Sequence, residues 1–385
     1  FMCILKACSI LGSLEVGENI HAELRKQGLL QKDVMLGTTL VDMYAKCGAL
    51  DKAQDVLQSL PTRNVVSWSA LIVGYTQHGQ GGEALKCFKK MQDDGVYPDL
   101  VTYICVLKAC GIAGCLETGK DIDREVRKQG LLQKDSLLGT TLVDMYIKCN
   151  ALGKAQEVFD QLLVRDVVSW SALIVGYAEH GFGNEALKCF KHMKDHGVSP
   201  SAITYIGVLK ACGIVGSLEI GEDIYAEIRK QGLLRKHIVL GGALVDMYAK
   251  CGVPKKAHEV FDQLPVQDLV SWTSLLFGHA QLGQAKTVLD QYRIMIRDGI
   301  MPDLITFLVL LNACSHGGLL EEGEQLFNEM LHVYHLNPTL EHYTCMVDLF
   351  GRAGHFDKAE MLLSKVPNSD YGPLLLAILG ACGKW

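Results

Sequence analysis

The sequence has no apolar run long enough to cross a membrane and no excess of positive charge. Its longest apolar runs, near Phe307–Leu311 and Leu374–Leu379, fall far below the ~18 residues that a transmembrane helix needs. The formal net charge is −6, so no broad basic surface attracts polyanions over long distances. Any nucleic-acid binding must therefore come from a local groove. No transit peptide is visible, but Phe1 falls inside a repeat, so we expect the natural chain to begin upstream.

Metal and catalytic signatures are also absent. No CxxC pair occurs, the thirteen histidines show no metal-ligand spacing, and neither GxxxxGK[ST] nor GxSxG is present. The cysteines instead recur 102 residues apart, as at Cys8, Cys110, Cys212 and Cys314. A small apolar side chain copied at one position is typical of helix cores. We therefore predict reduced core cysteines, no metal, no cofactor, and a chain that is not itself an enzyme.

One stretch matches half of a zinc-deaminase signature. It is His21-Ala22-Glu23, but the PCxxC partner that would complete the signature is missing. Asp123 and Tyr225 stand at the positions that align with His21 in the following copies. We therefore interpret His21 as an exposed variant on a second helix rather than a metal ligand.

What the sequence does contain is one block that repeats every 102 residues. Trp68, Trp170 and Trp272 mark the period, and each block divides into units of 31, 35 and 36 residues. Self-similarity at a fixed spacing is typical of a solenoid. The predicted division is a partial unit at 1–33, ten complete units at 34–64, 65–99, 100–135, 136–166, 167–201, 202–237, 238–268, 269–303, 304–339 and 340–370, and the start of another region at 371–385.

Each unit is predicted to form two helices joined by a tight turn. In the unit at 65–99, an apolar stripe follows the helical spacing i, i+3, i+4 and i+7 from Trp68 to Tyr75, and Ser67 is the predicted N-cap. Gly79 ends this helix, and glycine or proline closes the helices of the other units. No alternating strand pattern occurs. The predicted fold is all-α, a right-handed α-solenoid superhelix with the first helices along its concave side.

Three positions of the unit vary in a regular way. Position five is small in the 31- and 35-residue units, at Thr38, Ser69, Thr140, Ser171, Gly242, Thr273 and Thr344. The last residues of the same units are Asn64, Asp99, Asp166, Ser201, Asp268, Asp303 and Asp370. In the 36-residue units position five is apolar, at Met2, Ile104, Ile206 and Leu308. Position thirteen of the 31-residue units is basic, at Lys46, Lys148, Lys250 and Arg352.

These residues carry a resemblance to a known family. The chain resembles a pentatricopeptide-repeat protein of the plant PLS class, whose P, L and S motifs have these lengths and this order. LVDMYAKCG at 40–48, VVSWSALIVGY at 65–75 and VLKACGIAG at 106–114 are specific to it. The stretch at 340–359 resembles the final S motif, residues 371–385 resemble the start of an E region, and 1–33 resembles a partial L motif. The resemblance implies one base per repeat, read by two or three side chains.

The resemblance also implies a function. It is the binding of single-stranded RNA to specify a site for C-to-U editing of an organellar transcript, in a mitochondrion or chloroplast. The deaminase would be supplied outside this chain, together with editing cofactor proteins, and no membrane is involved. Two alternatives stay open: RNA stabilisation or processing without editing, and a protein-interaction scaffold resembling tetratricopeptide repeats. Units of 31 and 36 residues disfavour the scaffold, and the PLS order with its E-like end disfavours the first alternative.

Position five and the last residue of a unit are together called its reading pair. Without the resemblance, helix capping would explain the hydroxyl residues and solvated charge would explain the basic ones. The family pairs Thr or Ser plus Asn with adenine, and Thr or Ser plus Asp with guanine. Thr38/Asn64 then predicts A, and Ser69/Asp99, Thr140/Asp166, Thr273/Asp303 and Thr344/Asp370 predict G.

The remaining units give a weaker prediction. No base is predicted for the pairs Ser171/Ser201 and Gly242/Asp268. The 36-residue units are expected to discriminate little between bases. Numbered from the unit at 34–64, the predicted RNA is 5′-A-G-N-G-N-N-N-G-N-G-3′. The four basic residues at position thirteen are expected to contact phosphates, which position an RNA without reading its sequence.

Overall fold

The computed structural model describes residues 1–363 and shows a chain built from helical hairpins. Within these residues there are 22 α-helices, one short 3₁₀-helix at Leu233–Arg235, and no strand. The predicted all-α fold class is therefore confirmed. Asp370 and the predicted region at 371–385 lie outside the described residues. No helix described within residues 1–363 combines the length and the apolar character needed to span a bilayer.

First and second helices alternate along the chain. The first helices are α1 Met2–Leu11, α3 Val34–Lys46, α5 Val65–Gln77, α7 Leu100–Ala113, α9 Ser136–Lys148, α11 Val167–Glu179, α13 Ala202–Val215, α15 Ile238–Lys250, α17 Leu269–Gln281, α19 Leu304–Gly317 and α21 Leu340–Arg352. The second helices are α2 Leu14–Lys26, α4 Leu50–Ser59, α6 Gly81–Asp93, α8 Leu116–Lys128, α10 Leu152–Asp160, α12 Gly183–Asp195, α14 Leu218–Lys230, α16 Pro254–Asp262, α18 Ala285–Arg297, α20 Leu320–His332 and α22 Phe356–Leu363.

The helices form two compact units. One comprises residues 1–180 and 189–199, and the other comprises residues 181–188 and the chain from Pro200 onward. In the first, α3 packs on α5, α5 on α7, and α7 on α9; in the second, α15 packs on α17, α17 on α19, and α19 on α21. Within each unit, successive repeats therefore contact one another, which is the arrangement of an α-solenoid.

The last residue of a repeat starts the first helix of the next one. The Asp99 carboxylate accepts hydrogen bonds from the Thr102 amide at 2.8 Å and the Thr102 hydroxyl at 2.7 Å. Asn64 likewise accepts from the Ser67 amide at 2.9 Å. The prediction that Ser67 is the N-cap is therefore wrong. Because α5 begins at Val65, Asn64 is the N-cap, and Ser67 lies at the third helical position of a capping box.

Glycine allows neighbouring first helices to come close together. A Cβ added to Gly74 on α5 would lie 2.6 Å from the Ala45 Cβ on α3, and one added to Gly278 on α17 would lie 2.8 Å from the Ala249 Cβ on α15. Real Cβ atoms do not approach so closely, because the core is already packed. Glycine at these two positions is therefore required by the helix spacing.

One series of cysteines copied every 102 residues lies in the core. Cys110, Cys212 and Cys314 have no exposed surface, and Cys8 is 3% exposed. A second series, Cys47, Cys149 and Cys251, is half-buried. Burial raises the pKa of the Cys110, Cys212 and Cys314 thiols to about 12, because a thiolate is poorly stabilised away from water. These three thiols are protonated packing groups at neutral pH.

The prediction that His21 is exposed is wrong. Its side chain is half-buried, and its Nδ1 lies 2.9 Å from the Tyr44 hydroxyl on the next first helix. In the following copy Asp123 is buried and accepts a hydrogen bond from the Tyr146 hydroxyl at 2.8 Å. Burial, with smaller contributions from Arg25 and Lys52, lowers the pKa of His21. In both copies the residue at this position is therefore the hydrogen-bond partner of a buried tyrosine. Alignment of the repeats alone does not reveal this contact.

Candidate nucleic-acid interface

One face of each first helix is left uncovered by the hairpin packing. On α17 this face carries Val270, Thr273, Phe277 and Gln281, which follow one another at intervals of three or four residues. Val270 is 62% exposed, whereas the neighbouring Trp272 is 2% exposed. Positions two, five, nine and thirteen of a repeat therefore lie on one side of the helix, which is exposed at position two and largely buried at position five. This face holds the predicted reading residues and the predicted phosphate contacts.

Sequence analysis missed an apolar feature of this face, at position two. Its residue is a large aliphatic side chain that is between 53% and 66% exposed in nine successive repeats. These residues are Met35, Val66, Val101, Leu137, Val168, Ile203, Val239, Val270 and Ile305. Repeated exposure of apolar side chains indicates an interaction surface. The signal was present in the sequence as an aliphatic residue that recurs outside the buried stripe.

In the 35-residue repeat at 65–99, a threonine of the next helix links the reading pair. The Ser69 Oγ lies 2.7 Å from the Thr102 Oγ1, and the Thr102 hydroxyl donates to the Asp99 Oδ1 at 2.7 Å. Because the single hydroxyl proton of Thr102 goes to Asp99, Ser69 must be the donor to Thr102. In the later copy, Thr306 donates to Asp303 at 2.8 Å, whereas the Thr273 hydroxyl donates to the Leu269 carbonyl at 2.8 Å and lies 3.2 Å from the Thr306 Oγ1. The structure thus places both predicted pairs close together and links the first through Thr102.

The 31-residue repeat at 34–64 has no such link. The Thr38 hydroxyl donates to the Val34 carbonyl at 2.9 Å, within its own helix. Asn64 caps α5 through the Ser67 amide, and the Ser67 hydroxyl donates to the Asn64 carbonyl at 3.0 Å. The 31-residue repeat at 136–166 has the same cap, in which Asp166 accepts from the Ser169 amide at 2.9 Å. Its position-five residue, Thr140, is 8% exposed.

The other predicted reading residues occupy the same places on their helices. Ser171 donates to the Val167 carbonyl at 2.6 Å, and Ser201 accepts from the Thr204 amide at 3.2 Å. Asp268 accepts from the Ser271 amide at 2.9 Å, and Thr344 donates to the Leu340 carbonyl at 2.8 Å. Gly242 is buried, and a Cβ there would meet only the Val270 Cγ1, at 3.9 Å. In the 36-residue repeats Ile104 is 9% exposed, and Met2, Ile206 and Leu308 are half-buried.

A cavity of about 290 Å³ lies at the reading pair of α17 and α19. It is lined by Thr273 and Asp303, by the exposed aliphatic residues Val270 and Ile305, and by Asp246 and Lys250. The cavity therefore combines two apolar walls, a hydroxyl next to a carboxylate, and a cation at its edge. All of these residues belong to the second compact unit.

Each predicted phosphate contact is paired with an aspartate one turn earlier. The ion pairs are Lys46–Asp42 at 2.8 Å, Lys148–Asp144 at 2.7 Å, Lys250–Asp246 at 2.8 Å and Arg352–Asp348 at 2.8 Å. An exposed pair at this spacing contributes only about 0.3–0.5 kcal/mol. The aspartates hold these cations on one side of their helices.

The repeats define the class of this protein. The model of the PPR repeat family matches residues 63–111 and 165–213, and the PPR repeat model matches residues 38–65, 242–268, 270–300, 305–332 and 341–370. Together these matches cover more than half of the chain. The chain therefore belongs to the pentatricopeptide-repeat family.

Its relatives include pentatricopeptide repeat-containing proteins of Arabidopsis thaliana. One is 35% identical over 390 residues, which are 99% of this chain and 69% of the relative. Another is 37% identical over 383 residues, 99% of this chain and 52% of the relative. A third, whose name describes it as mitochondrial, is 34% identical over 384 residues, 99% of this chain and 61% of the relative. The chain thus spans between half and about two thirds of these relatives.

A solved structure shares the fold. It is the pentatricopeptide repeat protein PPR10 of maize in complex with an 18-nt psaJ RNA element. The TM-score is 0.62 at 22% sequence identity, covering 95% of this chain and 48% of that chain. At this identity the likeness supports the α-solenoid fold described above.

Proposed function

We propose that this chain binds single-stranded RNA, one nucleotide per repeat, and so specifies a site on an organellar transcript. The observation that carries the proposal is the cavity between α17 and α19, where Thr273 and Asp303 lie between Val270 and Ile305. An unpaired nucleobase has matching chemistry, with two apolar faces and a hydrogen-bonding edge. The PPR10 structure, which contains RNA and shares this fold, supports the same conclusion.

The exposed aliphatic series extends this reasoning to the other repeats. A base held between position two of one repeat and position two of the next would cover both side chains. Burying apolar surface contributes roughly 25 cal/mol per Å², which favours binding without regard to the identity of the base. Affinity therefore comes largely from position two, and choice of base from the reading pair.

Helix capping explains how Asp and Asn select different bases. In Asp99, Asp166, Asp268 and Asp303 the cap uses Oδ1, and Oδ2 remains an acceptor for the donors on the guanine edge. The Ser67 amide likewise needs an acceptor, so Asn64 must turn its oxygen towards it. Its NH₂ group then faces away as a donor, which suits the ring-nitrogen acceptors of adenine. The predicted register 5′-A-G-N-G-N-N-N-G-N-G-3′ follows the same rule.

The phosphates would be contacted by Lys46, Lys148, Lys250 and Arg352. They lie at position thirteen, two turns beyond position five on the same helix face. A phosphate that approaches this face meets a cation already ordered by its aspartate. These contacts would position the RNA backbone and carry no sequence information.

We further propose that the array addresses C-to-U editing. The order of 31-, 35- and 36-residue repeats resembles the PLS class, and several relatives carry the word mitochondrial in their names. The deaminase and its cofactor proteins would be supplied outside this chain, which itself acts as the address and not as an enzyme. Transcript sequencing in a plant line lacking the gene tests this. Loss of one edited cytidine supports editing, whereas loss of a whole transcript supports a stabilising role.

Asn64→Asp tests base reading directly. Asp retains the cap on α5 and replaces only the free donor with an acceptor, so the preference at nucleotide one should move from A to G. A good side-chain–base pair is worth ~1–3 kcal/mol of discrimination, so the change should be about tenfold or more. The matched control is Asp166→Asn, which should move nucleotide four from G to A. A selection on randomised RNA measures both, and unchanged preferences in folded variants would refute the code.

A further inference from the structure

A second cavity, of about 560 Å³, lies farther along the same pair of helices. It is lined by Phe277, Gln281, Leu308, Asn312 and His316, and by Ile305 and Val309. Phe277, Ile305 and Val309 also line the cavity of the Thr273/Asp303 reading pair. The two cavities are therefore adjacent. The larger one lies towards the carboxyl ends of α17 and α19.

The side chains of this second cavity combine an aromatic surface with two hydrogen-bonding groups. Phe277 is half-buried on α17, whereas Asn312 and His316 are exposed and lie one turn apart on α19. Among the described residues, no hydrogen bond or ion pair engages the side chain of Asn312 or His316. The amide can both donate and accept, and the imidazole can do either. An aromatic face beside free polar groups is the combination that binds an unstacked base.

The first block offers a natural comparison, because other residues stand at the same repeat positions. Val73 replaces the phenylalanine, Lys108 the asparagine and Ile112 the histidine. The second block has the same three residue types, at Val175, Lys210 and Ile214. All three positions have thus changed together in the third block, although they lie on two different helices. No core contact requires this, since two of the three side chains are exposed.

The repeat at 304–339 also lacks the usual second wall for its base. Ile305 lies at position two of this repeat, but Glu341 stands at position two of the next, where the nine preceding complete repeats have an aliphatic residue. Glu341 is exposed and accepts a hydrogen bond from the Thr339 hydroxyl. A charged, hydrated carboxylate is a poor surface for the apolar face of a base. Nucleotide nine, which faces this repeat, therefore lacks the second apolar side chain against which its base would pack.

We propose that the cavity of Phe277, Asn312 and His316 binds the base of nucleotide nine and selects adenine. The proposal rests on the function proposed above and adds a discriminating position where a 36-residue repeat was expected to discriminate little. Phe277 stacks on the base, and the Asn312 amide pairs with the adjacent donor and acceptor of adenine, as Asn does with adenine in DNA. His316 contacts the remaining edge or the ribose.

A selection on randomised RNA tests the proposal, with variants taken from the chain itself. The triple variant F277V/N312K/H316I installs the residue types of the first two blocks. The wild-type protein should enrich A at nucleotide nine and show no preference at nucleotide three. The triple variant should lose the preference at nucleotide nine, by about tenfold, and retain G at nucleotides two and four. The readout is the preference and not the affinity, because the lysine introduced by N312K strengthens binding to every RNA.

The reciprocal variant V73F/K108N/I112H supplies the matched gain of function. It should create a preference for A at nucleotide three. The single variant F277V should reduce the preference for A at nucleotide nine without adding charge. Circular dichroism confirms that each variant is folded. A wild-type protein without preference at nucleotide nine overturns the proposal, and so does a triple variant that keeps this preference. Nucleotides one, two and four report separately whether the code operates. Failure to select any base at any position overturns the proposed function, and this proposal with it.

Discussion

The 31-residue repeat at 34–64 and the 35-residue repeat at 65–99 carry similar reading pairs but build them differently. In the 35-residue repeat at 65–99, Ser69 is hydrogen-bonded through Thr102 to Asp99, so the pair is held across two helices. In the 31-residue repeat at 34–64, Thr38 donates to its own helix and Asn64 is bonded only at the start of the next one. The difference depends on one residue three positions after the cap, which is threonine in one case and serine in the other.

The two repeat types also differ at position thirteen. The 31-residue repeats have a basic residue there that is paired with an aspartate, whereas the 35-residue repeats have Gln77, Glu179 and Gln281. The linked repeat at 65–99 thus lacks the cation, and the repeat at 34–64 has the cation and lacks the link.

The largest effect is expected from breaking the link in the 35-residue repeat. Thr102→Val removes the hydroxyl and keeps the shape, and it leaves the buried Ser69 hydroxyl without its partner. An unsatisfied buried group costs ~1–3 kcal/mol, so the urea midpoint should fall and the G preference at nucleotide two should weaken.

Ser67→Ala is the matched change in the 31-residue repeat. The Ser67 hydroxyl contacts only the backbone of Asn64, so its removal should cost about 1 kcal/mol or less and leave the preference at nucleotide one intact. Equal losses of preference in the two variants would contradict the distinction between the repeat types.

A smaller effect is expected from removing the four cations. The quadruple variant K46A/K148A/K250A/R352A should bind all RNA sequences about tenfold more weakly and should flatten the dependence of affinity on salt. Lys86→Ala is the control, because Lys86 forms a similar ion pair with Glu83, but on a second helix. If the salt slope of the quadruple variant matches that of the wild type, the four residues are ordinary surface charges.

The smallest effect is expected at the position whose side chain packs against the repeated tryptophan. Trp170 packs edge-on against Phe159 and Trp272 against Phe261, with ring centroids 4.6 Å apart in both pairs. In the first block Leu57 replaces the phenylalanine, and a cavity of about 380 Å³ lies beside Trp68. Leu57→Phe should fill it and stabilise the protein by about 1 kcal/mol, the contribution of an aromatic pair.

Thermal unfolding measures this change, and Phe159→Leu is the reciprocal variant. It should destabilise the second block by a similar amount, because it removes the aromatic pair that Leu57→Phe creates. A lower midpoint for Leu57→Phe would show that α4 and α6 do not admit the ring, and that the first block differs from the second in backbone as well as side chain.

Much of the helical framework could be predicted from the sequence. The ten first helices from α3 onward begin at the residue where the repeat pattern placed the start of a unit. These signals are local, because an N-cap acts within three residues and glycine acts within one turn. The N-cap of α5 was predicted at Ser67 and lies at Asn64. This error is also local, because a capping box contains two residues that can both act as caps.

The site was only partly predictable for a different reason. Position five and the last residue were predicted as reading residues from their joint variation and the family resemblance, and this stays a prediction. The exposure of position two depends on which face the neighbouring helices leave uncovered. His21 was placed on the surface because its copies differ, although it bonds to a tyrosine 23 residues away. A pattern along one chain identifies which residues recur; it does not identify which of them meet.

The sequence by itself therefore determined the repeat lengths, the helix ends and the candidate reading residues, because each depends on residues within a few positions of one another. Only the tertiary structure decided that Ser69 reaches Asp99 through Thr102, 33 residues away from Ser69, and that Phe277, Asn312 and His316 line one cavity. These contacts depend on the angle and distance at which successive first helices pack. That geometry comes from the close approach of core residues, and no short stretch of sequence contains it.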